Sequence, residues 1–216
     1  MALIKACIFD LDGVIVDTAR YHYKAWKRLC NELGFDLTEE ENEALKGISR
    51  VESLEILLQK GGVVLSDDEK QRYMDMKNEW YLEFVDNMAG EEVLPGVVPF
   101  LFDVKESGRK IVLGSASKNA VKILTRVGLV DLFDEIIDGT KVTKGKPDPE
   151  TFLLGAQATG VKPNECVVFE DAAAGIEAAL AGKMYAIGVG DPEILSKAHM
   201  VIPGFQKAKI DILKEL

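Results

Sequence analysis

The stretch Lys5-Ala6-Cys7-Ile8-Phe9-Asp10-Leu11-Asp12-Gly13-Val14 decides how this chain is read. Its first five residues form an apolar run without polar alternation, the pattern of a strand buried on both faces of a sheet. Two carboxylates and a glycine follow where that strand should end. Short runs of the same kind recur at Lys110–Gly114, Glu135–Ile137, Cys166–Phe169, Tyr185–Val189 and Met200–Ile202. Helical patterns lie between most of them, over Val97–Glu106, Ala120–Val127, Glu150–Thr159 and Gly175–Ala181. Asp148-Pro149-Glu150 and Asp191-Pro192-Glu193 each read as a helix start, with a capping acid and a first-turn proline. Strand and helix alternate, so the fold class is α/β, a doubly wound, mainly parallel sheet with a Rossmann-like core.

One region breaks the alternation. Between about Asp17 and Gly90 no strand signal stands out, whereas Thr38-Glu39-Glu40-Glu41 and Ser66-Asp67-Asp68-Glu69 match capping boxes. Gly34, Gly61 and Gly62 read as helix stops. This stretch holds 16 acids and 10 bases, a surplus that suits solvated helix faces. The expected organisation is an α/β core of residues 1–16 and 91–216 with an all-helical cap domain, residues 17–90, inserted after the first strand. The chain re-enters the core near Val93-Leu94-Pro95-Gly96, and both junctions are candidate hinges.

Composition narrows the partners. Over 216 residues, 36 acids stand against 26 Lys and Arg, a net charge of −10. That balance argues against nucleic acid, which needs clustered positive charge. No apolar stretch approaches the roughly 20 residues that span a bilayer, and Met1 leads directly into the first strand without a signal peptide. The expectation is a cytoplasmic monomer acting on a small molecule. Cys7, Cys30 and Cys166 lack metal-ligand spacing and read as buried, reduced hydrophobes. An anionic substrate would need a bound cation or a few placed Lys and Arg to overcome the chain's own field.

In open α/β sheets, ligands bind beyond the carboxyl ends of the strands. Polar groups gather there from three separate stretches: Asp10 and Asp12 after the first strand, Ser115 to Asn119 after the second, Glu170 and Asp171 after the fourth. Asp10 and Asp12 alone would also suit a turn ahead of Gly13. Four carboxylates on two strand ends point instead to a hard cation with oxygen ligands, Mg²⁺ above all. An aspartate can also act as a covalent nucleophile, with a second carboxylate as general acid and base. The acidic cluster by itself leaves open which Asp does which. Ser117-Lys118-Asn119 at a helix start offers donors to phosphate. Lys146, held extended by Pro147, would pair with the carboxylates and be ready to meet phosphate.

Phe9-Asp10-Leu11-Asp12-Gly13-Val14, Ser115-Ala116-Ser117, Lys146-Pro147-Asp148-Pro149 and Glu170-Asp171 resemble, in this order, the four motifs of the haloacid dehalogenase superfamily of phosphotransferases. The resemblance covers essentially the whole chain. It implies that Asp10 is the nucleophile, Asp12 the acid and base, and Ser115 and Lys146 the holders of the transferring phosphate. It further implies that Asp10, Asp12 (through its backbone carbonyl), Glu170 and Asp171 bind Mg²⁺, and that a helical cap follows the first motif.

Within that superfamily the chain is similar to the phosphosugar mutases. Asp17-Thr18-Ala19, Tyr21-His22 and Ala25-Trp26-Lys27 match their hinge and first cap helix. Leu45-Lys46-Gly47-Ile48-Ser49-Arg50 matches their substrate-recognition loop, Lys77-Asn78 a further cap site, and Ser115-Ala116-Ser117-Lys118-Asn119 their phosphate loop. The resemblance implies that Thr18 and His22 assist hinge or acid/base positioning. It assigns Trp26, Lys46, Gly47, Arg50, Lys77, Ala116, Ser117, Lys118 and Asn119 to the substrate. Thr143-Lys144-Gly145, ahead of Lys146, is more basic and glycine-rich than the resemblance leads one to expect. The expected activity is Mg²⁺-dependent conversion of β-glucose 1-phosphate to glucose 6-phosphate, through a phosphorylated Asp10 and β-glucose 1,6-bisphosphate. The alternatives are a sugar-phosphate phosphatase of the same fold and, in another class, a signalling module switched by phosphorylation of Asp10.

Overall fold

The computed structural model describes residues 3–216. Six parallel strands, β1 (Ala6–Phe9), β2 (Lys110–Gly114), β3 (Glu135–Ile137), β4 (Cys166–Glu170), β5 (Tyr185–Val189) and β6 (Met200–Ile202), form one sheet in the order β3-β2-β1-β4-β5-β6. β1 and β4 are buried along their whole length, which is why their sequences show no alternation. The two central strands share one register, with Phe9 opposite Phe169. Those rings stack at 4.7 Å between centroids, and Phe100 and Phe205 close around them. Each such aromatic pair adds about 0.5–1.5 kcal/mol beyond its buried area. This cluster fixes the strand ends, so the residues that follow, Asp10 and Glu170, emerge side by side.

Four helices, α1 (Ala19–Glu32), α2 (Glu39–Glu43), α3 (Arg50–Gly61) and α4 (Asp67–Val85), separate β1 from the rest of the core. This is the all-helical insertion that the sequence predicts. The capping boxes at Thr38/Glu41 and Ser66/Glu69 are both formed. A third, Ser49/Glu52, opens α3 directly behind the loop that carries Lys46 and Gly47. At the junction the outgoing and returning chains lie together: Val16 bridges Val93, Asp17 N–H donates to the Glu92 carbonyl, and Leu94 N–H to that of Ile15.

The remaining helices are α5 (Val97–Glu106), α6 (Ala120–Arg126), α7 (Glu150–Thr159) and α8 (Ala173–Ala181). Asp148 accepts from Glu150 N–H at the start of α7, as its sequence suggests. The expected helix after Asp191-Pro192-Glu193 is absent. Asp191 does accept from Glu193 N–H, but residues 192–197 make only turns, because the chain must rejoin the sheet at Met200. All three cysteines are free and buried, and burial pushes the Cys7 and Cys166 thiols up to about 12. No helix among the described residues is long and apolar enough to cross a membrane.

Candidate active site

A cavity of about 960 Å³ lies between the helical insertion and the carboxyl edge of the sheet. Asp10, Asp12, His22, Trp26, Lys46, Gly47, Arg50, Lys77, Ser115, Ala116, Ser117, Lys118, Asn119 and Asp171 all line it. Thr18, Lys146 and Glu170, the other three residues singled out by sequence, are buried just behind that lining.

The floor is a carboxylate cluster. Oxygens of Asp10, Glu170 and Asp171 lie within 4.8 Å of one another. Lys146, buried and joined to the following Pro147 by a cis peptide bond, donates to Asp10 at 2.6 Å and to Glu170 at 2.8 Å. Burial works against its charge, yet the two carboxylates outweigh that and hold the ammonium well above its ordinary range. Burial lifts Glu170 to about 7 despite the ammonium, and lifts Asp171 well above the carboxylate range, with Glu170 and Asp10 adding to the effect. One ammonium thus faces three carboxylates. The donor set is all oxygen and carries surplus negative charge, so it fits a hard divalent cation. Gly13 makes room for it: at φ +78°, a Cβ there would sit 2.1 Å from Asp171 Oδ2.

Asp12 does not join that cluster through its side chain, so of the four acids at the two strand ends three carboxylates gather, and the resemblance assigns the fourth residue to the cation through its backbone carbonyl. Its carboxylate accepts a short hydrogen bond from Thr18 Oγ1 and stands 3.8 Å from His22 Nε2. Its side chain keeps 27% of its surface, but it lies deep in the cleft. Burial and then the Asp10 charge raise it to about 6, against the pull of the Thr18 hydroxyl. Such a carboxyl can hold and release a proton near neutrality. Burial, with the Lys77 and Arg50 charges, keeps His22 well below its ordinary range and therefore neutral. Lys77 Nζ lies 3.0 Å from His22 Nδ1. An ammonium can only donate, so it places the imidazole proton on Nε2, facing Asp12.

The cap supplies the roof. Lys77 is 2% exposed, with its ammonium over the Trp26 and Tyr81 rings at 4.6 and 4.9 Å. Burial and then Arg50 lower it to about 7. Gly47, at φ +73°, presses the recognition loop onto the core; a Cβ there would come within 3.0 Å of the Ala172 Cβ. Lys46 pairs with Glu43 at 2.7 Å. Across the cleft, Ser115 Oγ accepts from Ser117 N–H and Ser117 Oγ from Asn119 N–H, which pins the loop before α6.

Two further residues were not legible as site residues, and a third, Asn78, was expected only as part of a cap site with Lys77. Asn42 lines the cavity, nearly buried, with Oδ1 unpartnered. Glu52 meets the Thr143-Lys144-Gly145 loop, where a Cβ on Gly145 would lie 2.5 Å from its Oε2. Asn78 accepts from Arg50 and from Asn119 at once. Only the Ser49-x-x-Glu52 capping pattern offered a local signal, and it spoke of a helix start.

The buried lysine between paired carboxylates at adjoining strand ends, under a helical insertion, defines a class. The chain belongs to the haloacid dehalogenase-like hydrolase family, whose model matches residues 4–183. Within it, the chain is 42% identical to a β-phosphoglucomutase of Bacillus subtilis, over 98% of this chain and 95% of that one. A solved β-phosphoglucomutase from Clostridium difficile is 44% identical with a TM-score of 0.95, covering 98% of this chain and 96% of that one. A phosphorylated carbohydrates phosphatase of Thermotoga maritima is 30% identical over 99% of this chain and 100% of its own.

Proposed function

We propose that this enzyme is a phosphosugar mutase that converts β-glucose 1-phosphate to glucose 6-phosphate through β-glucose 1,6-bisphosphate. One observation carries the choice over a phosphatase: a single cleft has an anion-binding group at each end. Lys146 and Ser115 stand beside Asp10 at the floor, and Arg50 and Asn119 form a second donor set beneath the cap. A phosphatase needs only the first set. A mutase must hold a bisphosphate by either end and keep water away from the phosphorylated enzyme. The 42% and 44% identical β-phosphoglucomutases support the same choice.

In this reading Asp10 attacks the phosphorus, and an Asp10–phosphorus bond replaces the bond to the sugar oxygen. Asp12 gives its proton to that leaving oxygen. In the reverse half-reaction Asp12 takes the proton from the other sugar hydroxyl as it attacks the phosphorylated Asp10. Lys146 and Ser115 hold the phosphoryl oxygens, and Thr18 and His22 aim the Asp12 carboxyl. Trp26, Lys46, Gly47, Lys77, Ala116, Ser117 and Lys118 wrap the sugar and its distal phosphate. Asp10, Glu170, Asp171 and the Asp12 backbone carbonyl would hold Mg²⁺, which when bound neutralises the repulsion between Asp10 and the phosphoryl group. The paired chains at Val16 and Val93 support boundaries at 16/17 and 90/91, with the core in residues 1–16 and 91–216 and the cap in 17–90. The protein would act as a cytoplasmic monomer that is transiently a phosphoprotein.

The test is a product assay with enzyme, Mg²⁺, β-glucose 1-phosphate and a trace of bisphosphate. Glucose 6-phosphate is the expected product. Inorganic phosphate in its place would replace the mutase reading with the phosphatase one. A long-lived phosphorylated Asp10 with no turnover would point to a signalling module.

A further inference from the structure

Asn78 sits on α4 of the cap and does not line the cavity, yet two residues that do line it depend on its side chain. Its Oδ1 accepts from Arg50 Nη2 at 2.7 Å and from Asn119 Nδ2 at 2.9 Å. Arg50 opens cap helix α3, whereas Asn119 precedes core helix α6. One amide oxygen therefore ties two donors from opposite sides of the cleft. About two turns along α4, Asp86 pairs with Lys122 at 2.8 Å and Arg126 at 3.2 Å, both on α6. The α4–α6 seam is thus held at its outer end by exposed ion pairs and at the cleft by Asn78.

We propose that Asn78 is a positioning residue that sets the distal anion site, by holding Arg50 and Asn119 in one arrangement before substrate arrives. The inference rests on the mutase reading and deepens it. Each donor group gives Asn78 a single N–H and keeps others for the ligand, since guanidinium has five and a side-chain amide two. The neutrality of the acceptor matters as much as its place. A carboxylate there would make the same contacts but cancel the Arg50 charge on which a phosphate depends. An amide orients the guanidinium and leaves its charge for the substrate.

Four variants test this: Asn78→Ala, Asn78→Asp, Arg50→Ala, and Asn78→Ala combined with Arg50→Ala. The readouts are the Kd of β-glucose 1,6-bisphosphate, the KM and kcat for β-glucose 1-phosphate, and the rate at which acetyl phosphate, which has no distal phosphate, labels Asp10. Asn78→Ala should weaken bisphosphate binding and raise KM about tenfold, the worth of one or two hydrogen bonds. Its kcat and Asp10 labelling should shift by no more than about twofold. Asn78→Asp, which keeps the contacts and so the fold, should weaken binding by at least as much. The double variant should lose clearly less than the sum of the Asn78→Ala and Arg50→Ala losses, because Asn78 acts partly through Arg50, the remainder being its hold on Asn119. Additive losses, equal losses for both phosphoryl donors, or full affinity in Asn78→Asp would overturn the proposal. Wild-type protein that binds the bisphosphate without interconverting the monophosphates would unseat the mutase reading alone, with Asn78 still judged by Kd. Wild-type protein that fails to bind it would overturn both.

Discussion

Replacing Lys146 by methionine should separate the structural from the chemical role of the charge beneath the site. The Lys146 side chain is 0% exposed and spans the Asp10 and Glu170 carboxylates at 2.6 and 2.8 Å. Methionine keeps most of its volume and removes its charge. Removing one partner of a buried ion pair costs about 3–5 kcal/mol, because the remaining charge is stranded away from water. For a chain of this length, where 1 kcal/mol moves Tm by about 2–4 °C, the loss should be about 6–20 °C in chelator. Asp10, Glu170 and Asp171 then face one another with no internal cation, so added Mg²⁺ should recover much of that loss by binding only the folded state.

The pH dependence has a definite sign. Burial has already raised Glu170 to about 7 with the ammonium present, and removing the ammonium raises it further. A carboxyl whose folded pKa lies above its unfolded value contributes fully at low pH and loses that contribution as pH rises through the folded value. The deficit of the variant relative to wild type should therefore widen from pH 5 to pH 8 in chelator. Calorimetric scans at pH 5, 6.5 and 8, with EDTA and with Mg²⁺, measure it. A loss below about 2 °C at every pH, or one that Mg²⁺ leaves unchanged, would refute the account of Lys146 as the internal counter-charge.

Asp10→Asn should lower turnover by at least about 10³-fold while the protein remains folded, since an amide cannot form the covalent intermediate; activity close to wild type would remove covalent catalysis from Asp10. Gly13→Ala should raise the Mg²⁺ concentration for half-maximal activity by about 10- to 100-fold, because its Cβ would displace Asp171 and the residue would be strained at φ +78°; an unchanged Mg²⁺ titration would show that Asp171 is not needed there. Lys77→Met should be more stable than wild type at pH 6 and lose that advantage as pH rises from about 7 towards 10. Burial and then Arg50 lower this lysine from 10.5 to about 7, so below pH 7 the folded protein carries the whole cost of a buried charge, about 5 kcal/mol at 1.36 per unit, and sheds it as the amine loses its proton. A stability difference that is flat from pH 6 to pH 10 would contradict this.

The core strands were legible because a strand buried on both faces leaves an unbroken apolar run, and β2, β3, β5 and β6 begin and end at the residues expected. The Thr38 and Ser66 caps were legible for the same kind of local reason, since a capping box is written within four residues. Asp191-Pro192-Glu193 misled because a start signal says nothing about the room available, and here the chain must reach Met200 within a few residues. Lys146 was expected to pair with the carboxylates and does, but its complete burial, which a proline-bound lysine does not announce, arises when β1, β4 and the loop before α7 meet. Asn78 was expected as a cap-site residue beside Lys77, but its hold on Asn119 exists only because α4 lies against α6. Asp12 lies beyond the end of β1, where the turn from Leu11 to Val16 and the arrival of Thr18 place its carboxylate beside the hinge, apart from the Asp10, Glu170 and Asp171 cluster.

How a chain of net charge −10 receives a doubly phosphorylated sugar follows from where its charges lie. The cavity lining contains Lys46, Arg50, Lys77, Lys118 and Lys144 against Asp10, Asp12, Glu52, Asp148 and Asp171, five of each sign. The acidic surplus is therefore elsewhere, and the cleft is close to neutral before any ligand enters. Two of its acids are already committed, Glu52 to the cap of α3 and Asp148 to Glu150 N–H at the start of α7. Asp12, raised to about 6, is mostly ionised at pH 7, and Lys77, lowered to about 7, carries its positive charge only part of the time there. A divalent cation on Asp10 and Asp171 would then turn the floor positive. The field a phosphate meets depends on this local balance, because beyond about 8 Å physiological salt screens the exposed carboxylates of the cap. Acidity of the whole chain and affinity for an anion are compatible here because the low-dielectric cleft, not the surface, sets the potential at the substrate.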